Sequence, residues 1–201
     1  MKYIWEQLNN KIIWLTCLSV SVMVFFIIMV GCDQLPQQAD NPDNPLDPGN
    51  PDKVIDVPAL VMSPVEIEVP SNGQFDLELW VLEASKVAGI TSRITFDPAN
   101  LQVNGVDSLL ANDESFLLQN GGQLVWFSTI DNINGFIQID CAVAEASPGE
   151  VEGTGIISRI SFEHISGSDS QVNISNQSEF RDGDNTGIAP KALVGAKVAV
   201  K

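Results

Sequence analysis

Apolar and polar residues alternate in short runs along the last two thirds of the chain. Gly89–Phe96 shows this most clearly, with one apolar and one polar face, namely Ile90, Ile94 and Phe96 against Thr91, Arg93 and Thr95. A period of two indicates an extended strand with one face in a core. Asp97-Pro98 then ends the run, because proline has no N–H to donate to a sheet. The pattern therefore predicts a strand and a turn, after which the alternation resumes.

The other apolar runs are also short and are separated by clusters of turn residues. The clearest runs are residues 65–69, 75–82, 136–143 and 171–175, with SNG, DNING, SPGE and SGSD sequences between them. Short strands at this spacing are typical of a β-sandwich or barrel. About 140 residues suffice for a single core. We therefore expect an all-β domain over residues 54–201.

Several of these segments, in their order, resemble the cohesin domain, the receptor module of cellulosome scaffolds. The matching segments are FDLELWV (75–81), GITSRITFDPANLQV (89–103), GGQLVWFS (121–128), GIISRISF (155–162) and FRDGDNTGI (180–188). The resemblance implies a jelly-roll β-sandwich that binds a dockerin, the calcium-loop module of secreted enzymes. Carbohydrate-binding modules share this fold, so direct polysaccharide binding is the alternative. A structural envelope protein is a third possibility.

The resemblance also implies where a partner would bind. In cohesins the dockerin lies on one flat sheet face, to which strands matching residues 89–96, 116–119, 123–129 and 155–162 contribute. If Ile94, Phe96, Ile160 and Phe162 point inward, a period of two places six residues outward: Thr91, Arg93, Thr95, Ile157, Arg159 and Ser161. Two of the chain's three arginines would then lie on this face, and arginine suits interfaces. The alternative is that each arginine pairs with a neighbouring carboxylate.

The first 31 residues have the pattern of an export signal. Lys2 and Lys11 precede Ile12–Val30, which is 19 residues without a charge, and Gly31-Cys32 follow. Met29–Cys32 resembles a lipobox, in which the cysteine is diacylated and the chain is cut before it. We interpret residues 1–31 as a lipoprotein signal peptide, with an uncleaved transmembrane helix as the alternative. Either way we expect the domain outside the cytoplasm, on the bacterial cell envelope.

Residues 32–53 are predicted to be a disordered tether. Proline, aspartate and asparagine dominate the segment, which lacks the apolar residues that would order it. The whole chain has a formal net charge of −16. Such an acidic exported protein is not expected to bind nucleic acid, whose phosphates would repel it.

The residues most capable of chemistry do not form a recognisable catalytic pattern. His164 is the only histidine, and no nucleophile-elbow or papain-like signature accompanies it. We expect it at the surface or rim of a sheet. Cys141 lies in an apolar run, where a lone cysteine behaves as a small buried hydrophobe. We therefore expect the protein not to be an enzyme.

Metal and glycan sites have only weak signals. Asp182, Asp184 and Thr186 have the spacing of the first ligands of an EF-hand loop, but Leu193 stands where the final glutamate belongs. We interpret this segment as a turn, with calcium as the alternative, and expect no cofactor. Outside the leader only Trp80 and Trp126 remain as tryptophans. Such a pair is more typical of sandwich packing than of a glycan platform.

Replacing the predicted lipidation site tests the anchor. Cys32→Ala removes the thiol that accepts the lipid, so the variant should remain uncut or be released into the soluble fraction. Fractionation and intact mass spectrometry measure this, and the variant should lack the lipid-dependent mass shift. A wild-type protein that retains residues 1–31 would instead favour the transmembrane interpretation.

Overall fold

The computed structural model describes residues 55–109, 115–144 and 149–201, which form a sandwich of two β-sheets. The predicted signal peptide, the lipidation site Cys32 and the tether over residues 32–53 all lie outside the described residues. Within these residues, no helix has the length and apolar character needed to cross a membrane. The predicted all-β sandwich is confirmed.

Thirteen strands of the described residues, β1 to β13, make up the two sheets. The five-stranded sheet has the order β12-β1-β3-β8-β5, and these strands are Ala192–Val194, Ala59–Ser63, Gln74–Val87, Val151–His164 and Leu101–Asp107. The eight-stranded sheet contains the path β11-β10-β4-β9-β13-β2, and these strands are Gly187–Ile188, Glu179–Arg181, Gly89–Phe96, Ser170–Ile174, Ala196–Val200 and Glu66–Val69. In this sheet β7 (Phe136–Ala144) pairs with β4, and β6 (Gln123–Asp131) pairs with β7.

The core lies between the sheets and follows the predicted alternation. Ile94 and Phe96 of β4 and Ile160 and Phe162 of β8 are all buried, as predicted. The Phe162 ring stacks on Phe75 at a centroid distance of 5.5 Å and meets Phe96 edge-on at 5.9 Å. Because Phe96 belongs to the opposite sheet, this cluster joins the two layers.

A β-bulge changes the alternation near the middle of β8. Leu79 of β3 pairs with Ser158, whereas Trp80 pairs with Ile156, so Ile157 is an extra residue on β8. An extra residue shifts the inward positions by one. Ile157 is fully buried in the core, and its predicted outward position is wrong.

Residues 116–119 also differ from the prediction of a strand. Phe116–Leu118 form a single turn of 3-10 helix, and Phe116 and Leu117 are buried. Phe116 fits against Gly155, since a Cβ built at Gly155 would lie 3.0–3.1 Å from its side chain. This segment therefore fills the core near β8 and adds no strand to a face.

The two candidate chemical residues are both buried. His164 ends β8 and is fully buried, so its predicted surface or rim position is wrong. Its Nε2 lies 2.9 Å from the backbone oxygen of Ser168, to which it donates a hydrogen bond. Cys141 is buried on β7, as predicted, and its Sγ lies 3.7 Å from the backbone oxygen of Ile90. Burial raises the pKa of the Cys141 thiol to about 12, and the neighbouring Asp140 charge adds to the effect.

Truncating Phe162 tests the ring cluster. Phe162→Ala removes the ring that packs on both sheets, and its unfolding free energy should fall by about 3–5 kcal/mol. Denaturant unfolding followed by tryptophan fluorescence measures the change. Phe127→Ala is the matched control, because that ring is 68% exposed and should contribute less than about 1 kcal/mol. Equal losses in the two variants would contradict the assigned core.

The Cys141 thiol should be inert in the folded protein. Its pKa is raised from 9.0 to about 12, so the thiol stays protonated at pH 8 and little reactive thiolate forms. Maleimide labelling at pH 8, with mapping of the labelled peptide, should modify Cys141 only after denaturant is added. Linkage adds a further expectation: the stabilisation by the neutral thiol is complete below pH 9 and is lost as the pH rises towards 12. Rapid labelling of the native protein would show that this strand is open to solvent.

Candidate functional site

The structure does not bring the two predicted arginines together. Arg93 lies on β4 in the eight-stranded sheet, and Arg159 lies on β8 in the five-stranded sheet. Both side chains point away from the core, so they emerge on opposite sides of the sandwich. Thr91 and Thr95 accompany Arg93, and Ser161 accompanies Arg159. The prediction of a single face containing all these residues is wrong. Alternation shows which residues of a strand share a side, but it does not show which sheet the strand joins, because strand pairing depends on distant parts of the chain.

The outer side of the five-stranded sheet is largely covered or paired within the chain. Ala59, Val61 and Leu82 form a second buried cluster there, with Ile55 and Val57 packed against it. Arg159 forms an ion pair with Glu78, with 2.8 Å between Nη2 and Oε1. Ser161 donates a hydrogen bond of 2.7 Å to Asp76. On the outer side of the five-stranded sheet, Arg159 therefore follows the alternative interpretation, in which an arginine pairs with a neighbouring carboxylate.

The outer side of the eight-stranded sheet is open along β6, β7 and β4. Their outward residues form rows across the three strands, which together we call the β6–β7–β4 face: Val125–Ala142–Gly89, Phe127–Asp140–Thr91, Thr129–Gln138–Arg93 and Asp131–Phe136–Thr95. Phe127 is 68% exposed and Val125 is 42% exposed. Aromatic rings this exposed are common at protein interfaces.

Polar residues on this face are held in place by one another. The guanidinium carbon of Arg93 lies 4.0 Å from the centre of the Phe136 ring, a cation–π contact. Asp140 accepts hydrogen bonds from Thr91 Oγ1 at 2.9 Å and from Gln138 Nε2 at 3.2 Å. These contacts order the side chains before any partner arrives, which lowers the entropy cost of binding.

A groove of about 380 Å³ adjoins the apolar end of the face. Gly89 and Ala142 contribute to its lining, with Phe127 and the turn after β10. A Cβ built at Gly89 would lie 3.2 Å from the Cys141 backbone oxygen and 3.4 Å from the Ala142 Cβ. Gly89 therefore packs closely against β7, and a side chain at this position would press on the neighbouring strand.

The calcium candidate forms a turn. Asp182 Oδ1 accepts hydrogen bonds from the backbone N–H groups of Asp184 at 3.0 Å and Thr186 at 2.7 Å. Asn185 has a φ of 62°, in the left-handed region that asparagine tolerates. In the described part of the chain, no group of three or more histidine, cysteine, aspartate or glutamate side chains is arranged to hold a metal ion. The Asp182 carboxylate is used by the turn itself.

The two tryptophans lie at the edges of the packing. Trp126 is half-buried and packs against the main core, and Trp80 is half-buried with its Nε1 donating to Glu78 at 3.0 Å. A larger groove of about 660 Å³ lies elsewhere, and its charged lining residues are Glu66, Asp97, Asp169 and Lys197. Phe96 is the one aromatic residue in that lining, and it is buried.

Trp80 and Trp126 do not form an exposed aromatic platform of the kind that binds glycans.

Sequence reasoning missed Phe127 as a site residue. The run LVWF is apolar at consecutive positions, so alternation alone cannot say which residues face the core. The consecutive apolar residues could nevertheless have indicated the site. A strand with apolar residues on both faces exposes one of those faces unless a second layer covers it.

Several solved structures share this architecture. A cohesin from Clostridium acetobutylicum, CaCohA2, has a TM-score of 0.56 at 15% identity, over 71% of this chain and 90% of its own. A non-cellulosomal cohesin from the archaeon Archaeoglobus fulgidus has a TM-score of 0.54 at 14% identity, over 71% and 90%. The third cohesin of ScaC from Acetivibrio cellulolyticus, solved in complex with the ScaB dockerin, has a TM-score of 0.52 at 17% identity, over 70% and 98%.

Comparisons of sequence alone give no such result, since no protein-family model and no curated protein matches the chain. Identities of 14–17% establish architecture and nothing finer. The domain described by this structure therefore has the cohesin fold.

Proposed function

We propose that this domain is a protein-binding module whose β6–β7–β4 face docks a dockerin-type module of an exported protein. Two considerations support this. The domain has the cohesin fold, and the similar structures include a cohesin solved with a dockerin bound. The fold alone carries no function, so the docking site is inferred from the chemistry of the face.

The observation that carries the proposal is the combination of residues on the β6–β7–β4 face. An exposed ring at Phe127 stands beside a groove that has both apolar and charged lining residues, and Arg93 and Asp140 lie on the neighbouring strands. Interfaces combine an aromatic or arginine anchor with polar groups that fix orientation. The opposite side of the sandwich has its apolar cluster already covered and Arg159 paired with Glu78.

The proposal includes anchoring at the cell envelope. The lipobox-like Met29–Cys32 would attach the chain to a membrane, and the proline-rich residues 32–53 would separate the domain from it. A captured enzyme would then be retained at the bacterial surface or in the periplasm. Support for this part comes from the sequence alone, and the Cys32→Ala experiment tests it separately.

Paired substitutions on the two sides of the sandwich test the docking face. Phe127→Ala should weaken dockerin capture about 30-fold, as expected for a central aromatic anchor worth about 2 kcal/mol. Arg93→Gln should weaken it about tenfold. Arg159→Gln is the matched control, since it removes the same charge from the opposite sheet and should leave capture unchanged.

Calcium-loaded dockerin modules from the host's own secreted proteins serve as probes, and surface plasmon resonance measures affinity with and without chelator. Circular dichroism melting of each variant checks that the fold is retained. Failure of the wild-type chain to capture any of these dockerins would contradict the proposed function. Capture that Arg93→Gln and Arg159→Gln reduce equally would show that the docking face is wrongly placed.

A further inference from the structure

Strand β6 forms an edge of the eight-stranded sheet. It extends over nine residues, Gln123–Asp131, and pairs with β7 along its whole length. Among the described residues, no strand pairs with its other side. Within the described residues, the backbone N–H and C=O groups on that side thus have no strand partner, which is the condition for adding another strand.

This edge lacks the features that usually prevent strand addition. Its sequence, QLVWFSTID, contains no lysine, arginine, proline or glycine, and its pairing with β7 shows no register shift. Natural edge strands are usually short, charged, bulged or interrupted by proline. A long, regular and nearly neutral edge is unexpected in a chain of net charge −16.

Asp131 is the single charged residue of β6, and its carboxylate is hydrogen-bonded within the turn between β6 and β7. Asp131 Oδ1 accepts hydrogen bonds from the backbone N–H groups of Ile133 and Asn134, and Oδ2 accepts one from Asn134 Nδ2. The Asn134 hydrogen bonds lower the pKa of Asp131, so the carboxylate stays ionised but directed into the turn. The middle of the strand presents only uncharged side chains.

We propose that β6 pairs with β6 of a second copy of this chain, antiparallel and centred on Phe127. In this register Phe127 meets Phe127, Val125 meets Thr129, Leu124 meets Ile130, and Trp126 meets the small polar Ser128. The end residue Asp131 meets Gln123, so no carboxylate faces another. Cross-strand pairs of aromatic and β-branched residues stabilise sheets, whereas like charges directly opposite one another destabilise them.

The neutrality of the strand is what selects a second copy as its partner. Two chains of charge −16 repel each other wherever their acidic surfaces meet, so self-association requires a strip free of carboxylates. The middle of β6, from Leu124 to Ile130, supplies that strip, and its exposed Phe127 and Ile130 would lose contact with water on pairing. A two-fold axis perpendicular to the sheet makes the contact the same patch on both copies. The two β6–β7–β4 faces then point in the same direction, side by side.

Register-specific disulfide formation tests the pairing in the full-length chain in detergent. Differently tagged Val125→Cys and Thr129→Cys chains are mixed and mildly oxidised, and the linked peptides are identified by mass spectrometry. The mixture should give a disulfide between position 125 of one chain and position 129 of the other, because residues directly opposite have Cα atoms about 4.5–5.5 Å apart. Val125→Cys alone should not link to itself, since those positions lie four residues apart along the pair, about 13 Å.

Two results of this experiment would overturn the proposal. One is the absence of any product that links position 125 to position 129. The other is an equal amount of product that links position 125 to position 125 of the second copy, which would indicate random collision and no fixed register.

Charge substitutions at the same two exposed positions provide a second measurement. Val125→Glu with Thr129→Glu sets like charges opposite each other twice, and dimerisation measured by analytical ultracentrifugation should weaken at least about tenfold. Val125→Lys with Thr129→Glu sets opposite charges together at the same sites and should retain the dimer. A wild-type chain that stays monomeric, or equal dimerisation in the two charge variants, would contradict the β6 contact. Dockerin capture does not enter either readout, so this inference and the proposed function can fail independently.

Discussion

Contact between phenylalanine rings from opposite sheets is the interaction on which the rest of this structure depends. Phe75 and Phe162 come from the five-stranded sheet and Phe96 from the eight-stranded sheet, so their packing joins layers that share no backbone ladder. The described residues contain one cysteine, Cys141, which is free, so no disulfide assists the core. The inward positions of β3, β4 and β8 are therefore mostly apolar, with Ser92, Ser158 and His164 as buried polar exceptions, and the Asp, Glu, Lys and Arg side chains of these strands are not buried.

The two outward surfaces that result are not equivalent. On the five-stranded sheet, residues near the start of the domain cover Ala59, Val61 and Leu82, and the outward arginine is paired with Glu78. On the eight-stranded sheet, Phe127 and Val125 remain exposed although burial of apolar area is favourable. An exposed ring beside an open groove is better explained by a partner than by folding. The two arginines accordingly have different surroundings, since Arg93 stacks on Phe136 and Arg159 pairs with Glu78.

Local pattern predicted much of the fold and little of the site. A period of two correctly identified β4 and the inward positions of Ile94, Phe96, Ile160 and Phe162, because side-chain direction in a strand is a local property. β4 and β8 belong to different sheets. This depends on pairing between distant segments, which cannot be read from a single sequence. The bulge at Ile157 depends on the partner strand β3, and the burial of His164 depends on the loop that supplies the Ser168 carbonyl. The site was missed for the same reason: only the sheet order shows that Phe127 and Arg93 share a face.

Phe127 belongs both to the proposed docking face and to the proposed β6 edge contact. The geometry of a strand allows both surfaces to be used at once. Its ring rises from the outer face, whereas its backbone lies at the sheet edge, in directions that are roughly perpendicular. A dockerin that contacts the ring from above therefore leaves the edge free for a second copy. In the proposed pair the two Phe127 residues are directly opposite, with Cα atoms about 4.5–5.5 Å apart. A partner centred on one ring would then also contact the other, so two paired domains would share a single binding centre at the two-fold axis.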